Sequence, residues 1–295
     1  MKRQSKDIRP KFDNEWVDKS KSTISISAAL GQLGEEFDQK GVAQKTHDKH
    51  FDNPDSEYFQ KSVEQIIEMW ENKGKVSRSY GCKLDDYIGY TLNDDDLGLE
   101  MYKLQNNFDF DDRLKAHTHA FDEFIKWFES HYDVEYVDRE VDIYYKMPKL
   151  ELSGQELDYY IRGRLDALFY NKANGHYIVI DWKSSGSIDT QPTKWTTQLA
   201  GPANKWPSLN WYTYSIQVNF YKMGLIQNYL PENTEVDVLI VNLPDHPFDD
   251  GLPYRYYVSA MPYCTKDFED VFTYSIKMLE IKKKMAERNK NKKEE

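Results

Sequence analysis

Two aspartates and a lysine lie in one short segment of the chain, residues 163–183, in a pattern that two adjacent strands would bring together. LDALFY is typical of a strand, NKANG of a turn and HYIVIDWK of a second strand, so a hairpin is predicted. Asp166 lies near the start of the first strand and Asp181 near the end of the second, which places both carboxylates at one end of the sheet. Lys183 follows Asp181 by two residues, so strand alternation directs both side chains to one face.

This group of side chains suits a hard divalent cation. Carboxylate oxygens are the ligands that magnesium prefers, and a bound cation polarises water for the hydrolysis of a phosphodiester. The alternative is an ordinary hairpin in which Asp181 and Lys183 form a surface salt bridge. A surface salt bridge would be enough to explain Asp181 and Lys183 if the hairpin were the only motif in the chain.

A glutamine and a tyrosine follow the hairpin in WYTYSIQVNFYKMGLIQNYL, which is predicted to be helical. Gln217 and Tyr221 are four residues apart, so one helical turn places them on the same face. Together, GRLD, IDWK and QVNFY resemble the PD-(D/E)XK nuclease superfamily, and more narrowly its RecB-like exonuclease branch, over about residues 60–245. The salt-bridge alternative does not account for Gln217 and Tyr221.

The resemblance implies a fold and an activity. The fold is α/β, with a restriction-endonuclease-like core, that is a mixed central sheet flanked by helices, and an N-terminal helical elaboration. The activity is metal-dependent hydrolysis of DNA by an exonuclease that acts on ends or single strands in replication, recombination or repair. A structure- or sequence-specific endonuclease on the same core is one alternative. A non-catalytic nucleic-acid-binding or protein-binding module is another, disfavoured because the two aspartates and the lysine are intact.

The resemblance also implies roles for residues of the hairpin. Asp166, Asp181 and the backbone carbonyl of Trp182 would hold Mg²⁺ or Mn²⁺. Lys183 would orient the attacking water and offset developing negative charge. Gln217 would hold the lysine or the water, and the Tyr221 hydroxyl would reach a phosphate. Alternatively, the ring of Tyr221 packs as core, and both can hold at once.

Further metal ligands are predicted in the N-terminal half. Glu140, on the predicted strand VEYVDREVDIYY, would support the metal, or else is a solvent-facing strand residue. In YGCKLDDYI, Gly81 matches a family glycine and Asp85 stands where the family carries a histidine ligand. Aspartate is a competent ligand for magnesium, so Asp85 is predicted to complete the site. His47 is the competitor, although a histidine in a polar loop is more often a surface residue.

A long loop follows the predicted catalytic strand, with tryptophans and interspersed lysines. Ser184 and Ser185 could contact a phosphate, and Lys194 and Trp195 could form part of a surface on which single-stranded bases stack. The alternative is that the tryptophans only cover the helix that follows.

The chain is divided here into three parts. Residues 1–20 are charged and aperiodic and are predicted to form a flexible arm. Residues 21–131 are predicted to be a helical region packed on the core, with helices over 22–38, 57–73 and about 110–131, and a polar loop between the first two. Residues 132–295 are predicted to be the nuclease core, with a C-terminal helix from about Thr265 and a charged tail.

Composition sets bounds on the setting and the partners. There are two cysteines among 295 residues, too few for an iron–sulfur cluster or a disulfide framework, which favours the cytoplasm. No apolar run approaches the length of roughly 20 residues that spans a bilayer, and the N-terminus does not resemble a signal peptide. The net charge of −11 disfavours tight non-specific binding of duplex DNA but is compatible with a cleft whose carboxylates a cation neutralises. The resemblance to RecB-like exonucleases implies that the partner is DNA with free ends or single strands, and the net charge is compatible with this.

Overall fold

The computed structural model describes residues 9–35, 37–152 and 154–294. Its strands are β1 Ser22–Ser25, β2 Val134–Lys146, β3 Leu150–Leu152, β4 Gln155–Leu157, β5 Tyr159–Asn171, β6 His176–Lys183, β7 Val236–Asn242 and β8 Arg255–Val258. Its α-helices are α1 Ile26–Leu30, α2 Gln39–His50, α3 Val63–Leu92, α4 Asp96–Gln105, α5 Asp112–His131, α6 Asn210–Asn228 and α7 Thr265–Glu294. Short 3-10 turns cover Phe108–Phe110 and Gly201–Ala203.

A mixed sheet in the order β1-β5-β6-β7-β8, with β2 also paired to β5, forms the centre of the described chain. The neighbours β5 and β6 are antiparallel, β6 and β7 are parallel, and β7 and β8 are antiparallel. The short strands β3 and β4 form a separate two-stranded sheet. The predicted α/β class, with a mixed central sheet flanked by helices, is confirmed.

The strand β5 changes partner along one of its edges. Antiparallel pairing with β2 occupies one edge from residue 160 to residue 171. The other edge pairs first with β1, in parallel, over residues 159–162, and then with β6, antiparallel, over residues 167–171. Residues 163–166 therefore have no described strand partner on that edge. We call this stretch the β5 gap, and it contains Asp166.

Helices cover both faces of the sheet. On one face, α5 places Phe124 and Phe128 against the sheet, and the ring of Phe128 meets that of Phe169 on β5 at 5.4 Å between centroids. On the other face, α6 and α7 meet through Phe220 and Phe272, whose ring centroids are 6.0 Å apart. Each of these five phenylalanines is fully buried, and such burial contributes about 1.5–3 kcal/mol per side chain.

Capping residues fix where the long helices of the first face begin. Before α3, the Ser62 hydroxyl accepts from the Gln65 backbone N–H at 3.3 Å, and the Gln65 amide oxygen accepts from the Ser62 backbone N–H at 2.8 Å. Before α5, the Asp111 carboxylate accepts from the Leu114 backbone N–H at 3.0 Å. These caps satisfy backbone donors that have no partner inside their helices.

Three predictions for the N-terminal half are wrong. The segment 22–38 begins with strand β1 rather than a helix, because its backbone pairs with β5 from far along the chain. The supposed loop contains α2, a polar helix capped by Asp38 whose buried side chain is that of Ala43. The helix expected over 57–73 runs instead from Val63 to Leu92, so Asp85 lies inside it and not in an element downstream.

Part of the predicted N-terminal arm lies against the core. Val17 is buried, and the Asn14 side chain donates to the Asp142 backbone carbonyl at 3.2 Å and accepts from the Tyr229 hydroxyl. Residues 1–8 lie outside the described residues. Among the helices of the described part of the chain, none combines the length and the apolar character needed to cross a membrane.

Candidate active site

Asp181 is a buried carboxylate at the end of β6. Its side chain is 1% exposed, and apart from the Lys183 ammonium no described residue donates a hydrogen bond to its oxygens. The Lys183 ammonium lies 2.5 Å from Oδ2, so the two side chains form an ion pair on one face of the strand. The predicted convergence of these two residues is thus seen in the structure, and the pair is buried rather than on the surface.

Asp166 comes to the same place because of the β5 gap. Its Oδ2 accepts the backbone N–H of Trp182 at 2.8 Å, so this carboxylate takes the position that a neighbouring strand's carbonyl would otherwise occupy. The Trp182 ring packs edge-on against Phe121 and Phe124 of α5, at 5.6 and 5.7 Å between centroids. Packing of the ring therefore fixes the backbone that Asp166 binds.

The electrostatics of the group favour a cation. Burial raises the pKa of Asp166, and the nearby charge of Asp181 raises it further. Burial also raises the pKa of Asp181, although the Lys183 charge opposes the change. Burial alone would lower the pKa of Lys183, but the charges of Asp181 and Asp166 outweigh it and the pKa is raised.

When both are ionised, the buried Asp181 and the partly buried Asp166 carry one more negative charge than the Lys183 ammonium balances, and a bound cation would offset it. Since the Lys183 ammonium is the only donor to Asp181 among the described residues, and its Oδ1 has none, this residue fits the role of a cation ligand. Within the described ranges, no three side chains of His, Cys, Asp or Glu are grouped closely enough to hold an ion by themselves. The side chains that fit a cation are therefore the two aspartates, with remaining ligands to come from backbone or solvent.

Lys183 is held on three sides. Its Nζ lies 2.5 Å from Asp181, 3.5 Å from the Gln217 amide oxygen and 4.5 Å from the centroid of the Tyr214 ring. The contact with Gln217 is at the long limit of a hydrogen bond. The ring face of Tyr214 adds a favourable cation–π contact. The ammonium is thereby fixed beside the carboxylates.

Gln217 and Tyr221 lie on one face of α6, as predicted, and they are linked. The Gln217 amide donates to the Tyr221 hydroxyl at 3.0 Å, and that hydroxyl donates to the Arg164 backbone carbonyl at 2.7 Å in the β5 gap. Tyr221 is 1% exposed, so its hydroxyl does not reach the cleft. This placement differs from the predicted phosphate contact, because the freed carbonyl of the gap takes the hydroxyl instead.

Gly163, in the same gap, permits this arrangement. A Cβ atom added there would meet the rings of Phe220 and Tyr221 at 2.7 Å. Such contacts are shorter than van der Waals packing allows. The first residue of the gap is therefore a glycine because two aromatic rings approach its backbone.

Asp85 on α3 lies close to the buried pair. With Asp166, Trp182 and Ser184 it lines a cavity of about 240 Å³. Its Oδ1 also lies 2.8 Å from the Arg139 guanidinium, which donates to the Asp85 backbone carbonyl at 3.0 Å as well. The structure thus brings Asp85 to the site and gives it a cationic partner.

The other two predicted ligands lie elsewhere. Glu140 has a positive φ of 50° in β2, its side chain is 47% exposed, and its carboxylate lies 3.7 Å from the Arg139 guanidinium. His47 lies on α2, where its Nδ1 is 3.0 Å from Asp48 and its ring packs on Phe51. Among the described residues that line the two cavities near the carboxylates, none belongs to α2.

A larger cleft of about 870 Å³ opens beside the site. Lys183, Ser184 and Ser185 line it, as do Arg78 of α3 and Arg113 of α5. Sequence analysis missed both arginines. Arg78 stands seven residues before Asp85, and the signal was available in the helical spacing, but α3 was expected to end at residue 73.

Arg113 is oriented by two contacts. Its Nε lies 2.7 Å from Asp245, and its guanidinium lies 4.4 Å from the centroid of the Tyr80 ring. These contacts hold the head group at the cleft that Ser184 and Ser185 also line.

Some residues of the long loop after β6 pack against the core, and others are exposed. Ser185 Oγ lies 3.3 Å from the Asn242 side-chain oxygen, while Trp195 is 80% exposed with the Lys194 ammonium 4.9 Å from its ring centroid. Trp206 instead stacks near Phe268, and Trp211 donates to a backbone carbonyl of β8 at 3.0 Å. Lys194 and Trp195 do not line the cleft described above.

Comparison with known proteins agrees with this geometry. The model of the PD-(D/E)XK nuclease superfamily matches residues 94–293, which is more than half of the chain and includes the hairpin and α6. A search of curated proteins found no match. Proteins of this superfamily are nucleases that generally use divalent metals. From its family match, the chain belongs to the PD-(D/E)XK nuclease superfamily.

Proposed function

We propose that this protein is a Mg²⁺- or Mn²⁺-dependent deoxyribonuclease of the RecB-like branch, an exonuclease acting on DNA ends or single strands. The observation that carries the proposal is the buried Asp181, to which only the Lys183 ammonium donates among the described residues, beside a second carboxylate, Asp166. Two carboxylates in this state are costly unless a cation joins them. The Gln217–Tyr221 pair behind Lys183 supports assignment to the RecB-like branch.

Asp166 and Asp181 would hold the metal, together with the Trp182 backbone carbonyl, and with Asp85 reaching it from α3. When bound, the cation supplies a water of lowered pKa and neutralises charge on the phosphoryl oxygens. The buried position of Asp181 and the shared cavity of Asp85 and Asp166 support these assignments. Glu140 is left out of this proposal because Arg139 and solvent already satisfy it.

Lys183 would orient the attacking water and stabilise negative charge as it develops on the phosphate. Gln217 holds the ammonium through its amide oxygen, and Tyr221 fixes the amide through its own hydroxyl. Tyr221 therefore acts as a positioning residue, anchored on the Arg164 carbonyl. Ser184 and Ser185, on the cleft wall next to Lys183, are proposed phosphate contacts.

The proposal is tested with end-labelled linear DNA and closed circular DNA of the same sequence, each with Mg²⁺, Mn²⁺ or EDTA. Wild type is expected to degrade the linear substrate only when a metal is present, while Lys183→Ala does not. Cutting of the circle would instead identify an endonuclease on the same core. Metal-independent cleavage, or equal activity of the Lys183→Ala variant, would contradict the proposed mechanism.

We also keep the division of the chain into an arm, a helical region over 21–131 and a core over 132–295 as a proposal. Its support is the concentration of α2 to α5 in the middle part. β1 crosses that boundary, since it lies in the first half and pairs with β5.

A further inference from the structure

A second groove runs along α3, outside the site already described. It has a volume of about 420 Å³ and is lined by residues that include Phe37, Trp70, Gly74, Lys75 and Arg78. Its volume is in the range of pockets that hold molecules the size of one nucleotide. Glu71 also lines it, so two cationic side chains face one acidic side chain in this lining.

The groove adjoins the cleft beside the active site through one shared residue. Arg78 lines both. Gly74, Arg78, Gly81 and Asp85 are spaced by four, three and four residues, which places them along one face of α3. From Trp70 to Asp85 this face extends about 22 Å at the helical rise of 1.5 Å per residue.

Two aromatic rings form the far end of the groove. Phe37 is 65% exposed, and its ring centroid lies 6.5 Å from that of Trp70. Trp70 is held in place because its indole N–H donates to the Tyr58 hydroxyl at 3.1 Å. A large exposed ring beside a fixed one offers a flat face at low cost in conformational entropy.

Gly74 forms the floor between the rings and Arg78. A Cβ atom added there would meet a terminal nitrogen of Arg78 at 3.3 Å, so the guanidinium lies across this position. Glycine in a helix interior is less favourable than alanine. The open floor therefore brings the arginine close to the helix backbone, between the rings and the cleft.

We propose that this groove binds single-stranded nucleic acid, holding the part of the strand that lies beyond the bond to be cut. The proposal rests on the proposed nuclease function and extends it to the substrate. Aromatic faces stack on bases, and lysine and arginine pair with phosphates, which is the combination that single-strand-binding surfaces use. The length of about 22 Å suits the smallest of these sites, of about four nucleotides. A duplex does not satisfy the groove, because its bases already stack on one another.

Binding of a 20-nucleotide fluorescent oligothymidylate, measured by anisotropy in EDTA, tests the proposal without cleavage. The groove variant Phe37→Ala/Lys75→Ala is compared with the matched control Phe110→Ala/Lys266→Ala, which removes another exposed phenylalanine and another exposed lysine. The groove variant is expected to raise Kd at least about tenfold, and the control to leave it unchanged. The conservative variant Phe37→Trp/Lys75→Arg is expected to bind like wild type.

Two further measurements separate stacking and charge from folding. Gly74→Gln fills the groove floor with a better helix former, so it should weaken binding while the protein stays at least as stable. Lys75→Ala alone should make the slope of log K against log salt shallower by about 0.7, the contribution of one phosphate on a single strand. Lys266→Ala should not change that slope.

Equal Kd values for the groove variant and its control would overturn the proposal. So would an equal loss on a 20-base-pair duplex, or failure of the conservative variant to restore binding. A wild-type protein that binds oligothymidylate through the groove but does not cut it with Mg²⁺ or Mn²⁺ would contradict the nuclease function and leave the groove assignment standing.

Discussion

Asp111 and Asp181 are both acidic residues beside a lysine, but their pKa values shift in opposite directions. Asp111 accepts the Leu114 backbone N–H and lies 3.1 Å from the Tyr80 hydroxyl and 3.6 Å from the Lys83 ammonium. Burial would raise its pKa, but these donors outweigh burial and the pKa of Asp111 is lowered. Asp181 has a lysine closer still, yet burial prevails and its pKa is raised.

The difference lies in burial and in the number of donors: Asp181 is 1% exposed with Lys183 as its donor, whereas Asp111 is 18% exposed and accepts from the Leu114 N–H and the Tyr80 hydroxyl. A carboxylate that caps a helix is stabilised as an anion by directed donors, and it holds the fold together. Two neighbouring carboxylates that share a single ammonium, one of them fully buried, destabilise the folded protein until a metal ion binds. The first arrangement identifies a structural residue of α5, and the second identifies the active site.

The largest effect is expected from removing the charge of Asp181. Asp181→Asn should lower activity at least about 1,000-fold, since metal binding is lost, while the midpoint of thermal unfolding in EDTA stays the same or rises. Asp166→Asn, which keeps an acceptor for the Trp182 N–H, should behave in the same way. Calorimetric titration with Mg²⁺ and Mn²⁺ checks both variants. Unchanged metal affinity would contradict the assignment of these aspartates, unlike Asp111, to a metal site.

Lys183→Ala should lower kcat by about 10²- to 10⁴-fold, because the ammonium acts at the attacking water. Metal affinity should be retained, since the carboxylates remain. Lys183→Arg should restore little, because a planar guanidinium does not replace a compact ammonium beside Asp181. Single-turnover cleavage rates measure the effect, and near wild-type rates in the alanine variant would point to a purely structural ion pair.

Asp85→Ala should weaken the affinity for metal by about 10- to 100-fold, as loss of a residue supporting a metal ligand does. His47→Ala is the matched control and should change the affinity less than about twofold, because His47 lies on α2. A structure soaked with Mn²⁺ would decide between them. Coordination by His47 would mean that α2 moves to the site.

Asp111→Ala should lower the free energy of unfolding by about 1–2 kcal/mol and leave activity at 25 °C intact. Because the folded pKa of Asp111 is lowered, its stabilisation is fully present above its ordinary pKa near 3.8. The difference between variant and wild type should therefore be constant from pH 7 to about pH 4 and shrink below that, as urea denaturation at several pH values would show. If Asp111→Ala lost activity without losing stability, Asp111 would be a functional residue and not a structural one.

The smallest effect is expected for His117, a buried imidazole that, unlike the two aspartates, has one ring nitrogen hydrogen-bonded and the other without a described partner. Its Nδ1 donates to the Leu243 backbone carbonyl at 2.7 Å, and its Nε2 has no hydrogen-bond partner among the described residues. Burial lowers the pKa of His117 in the folded state. The unfolded chain then binds more protons, so stability should fall as the pH drops below about 6.5, by at most about 1.4 kcal/mol per pH unit. In His117→Gln this slope should be shallower.

The sequence allowed the hairpin and α6 to be predicted because their signals are local. Strand alternation placed Asp181 and Lys183 on one face, and helical spacing aligned Gln217 with Tyr221. The same reasoning failed for β1, whose strand pairing depends on β5, and for α2, whose polar surface lacks an apolar stripe. Local patterns do not record such distant contacts.

Two features of the site also required the structure. The bond between Asp166 and the Trp182 backbone depends on the β5 gap, which no spacing of residue types reveals. The burial of the Tyr221 hydroxyl has the same origin, since it binds a carbonyl that the gap leaves open. The predicted chemistry of the carboxylates followed from residue type, whereas their supporting contacts followed from strand order.

The change of partner along β5 also affects the order in which the chain can assemble during synthesis. Among the described strands, β1 pairs with β5 only, and its residues are made long before those of β5. At the usual rate of about 5–20 residues per second, β1 waits on the order of ten seconds for its partner. Contacts between such distant segments form slowly. The edge of the sheet that adjoins Asp166 is therefore completed late, and a partly made chain carries the acidic residues without their finished surroundings.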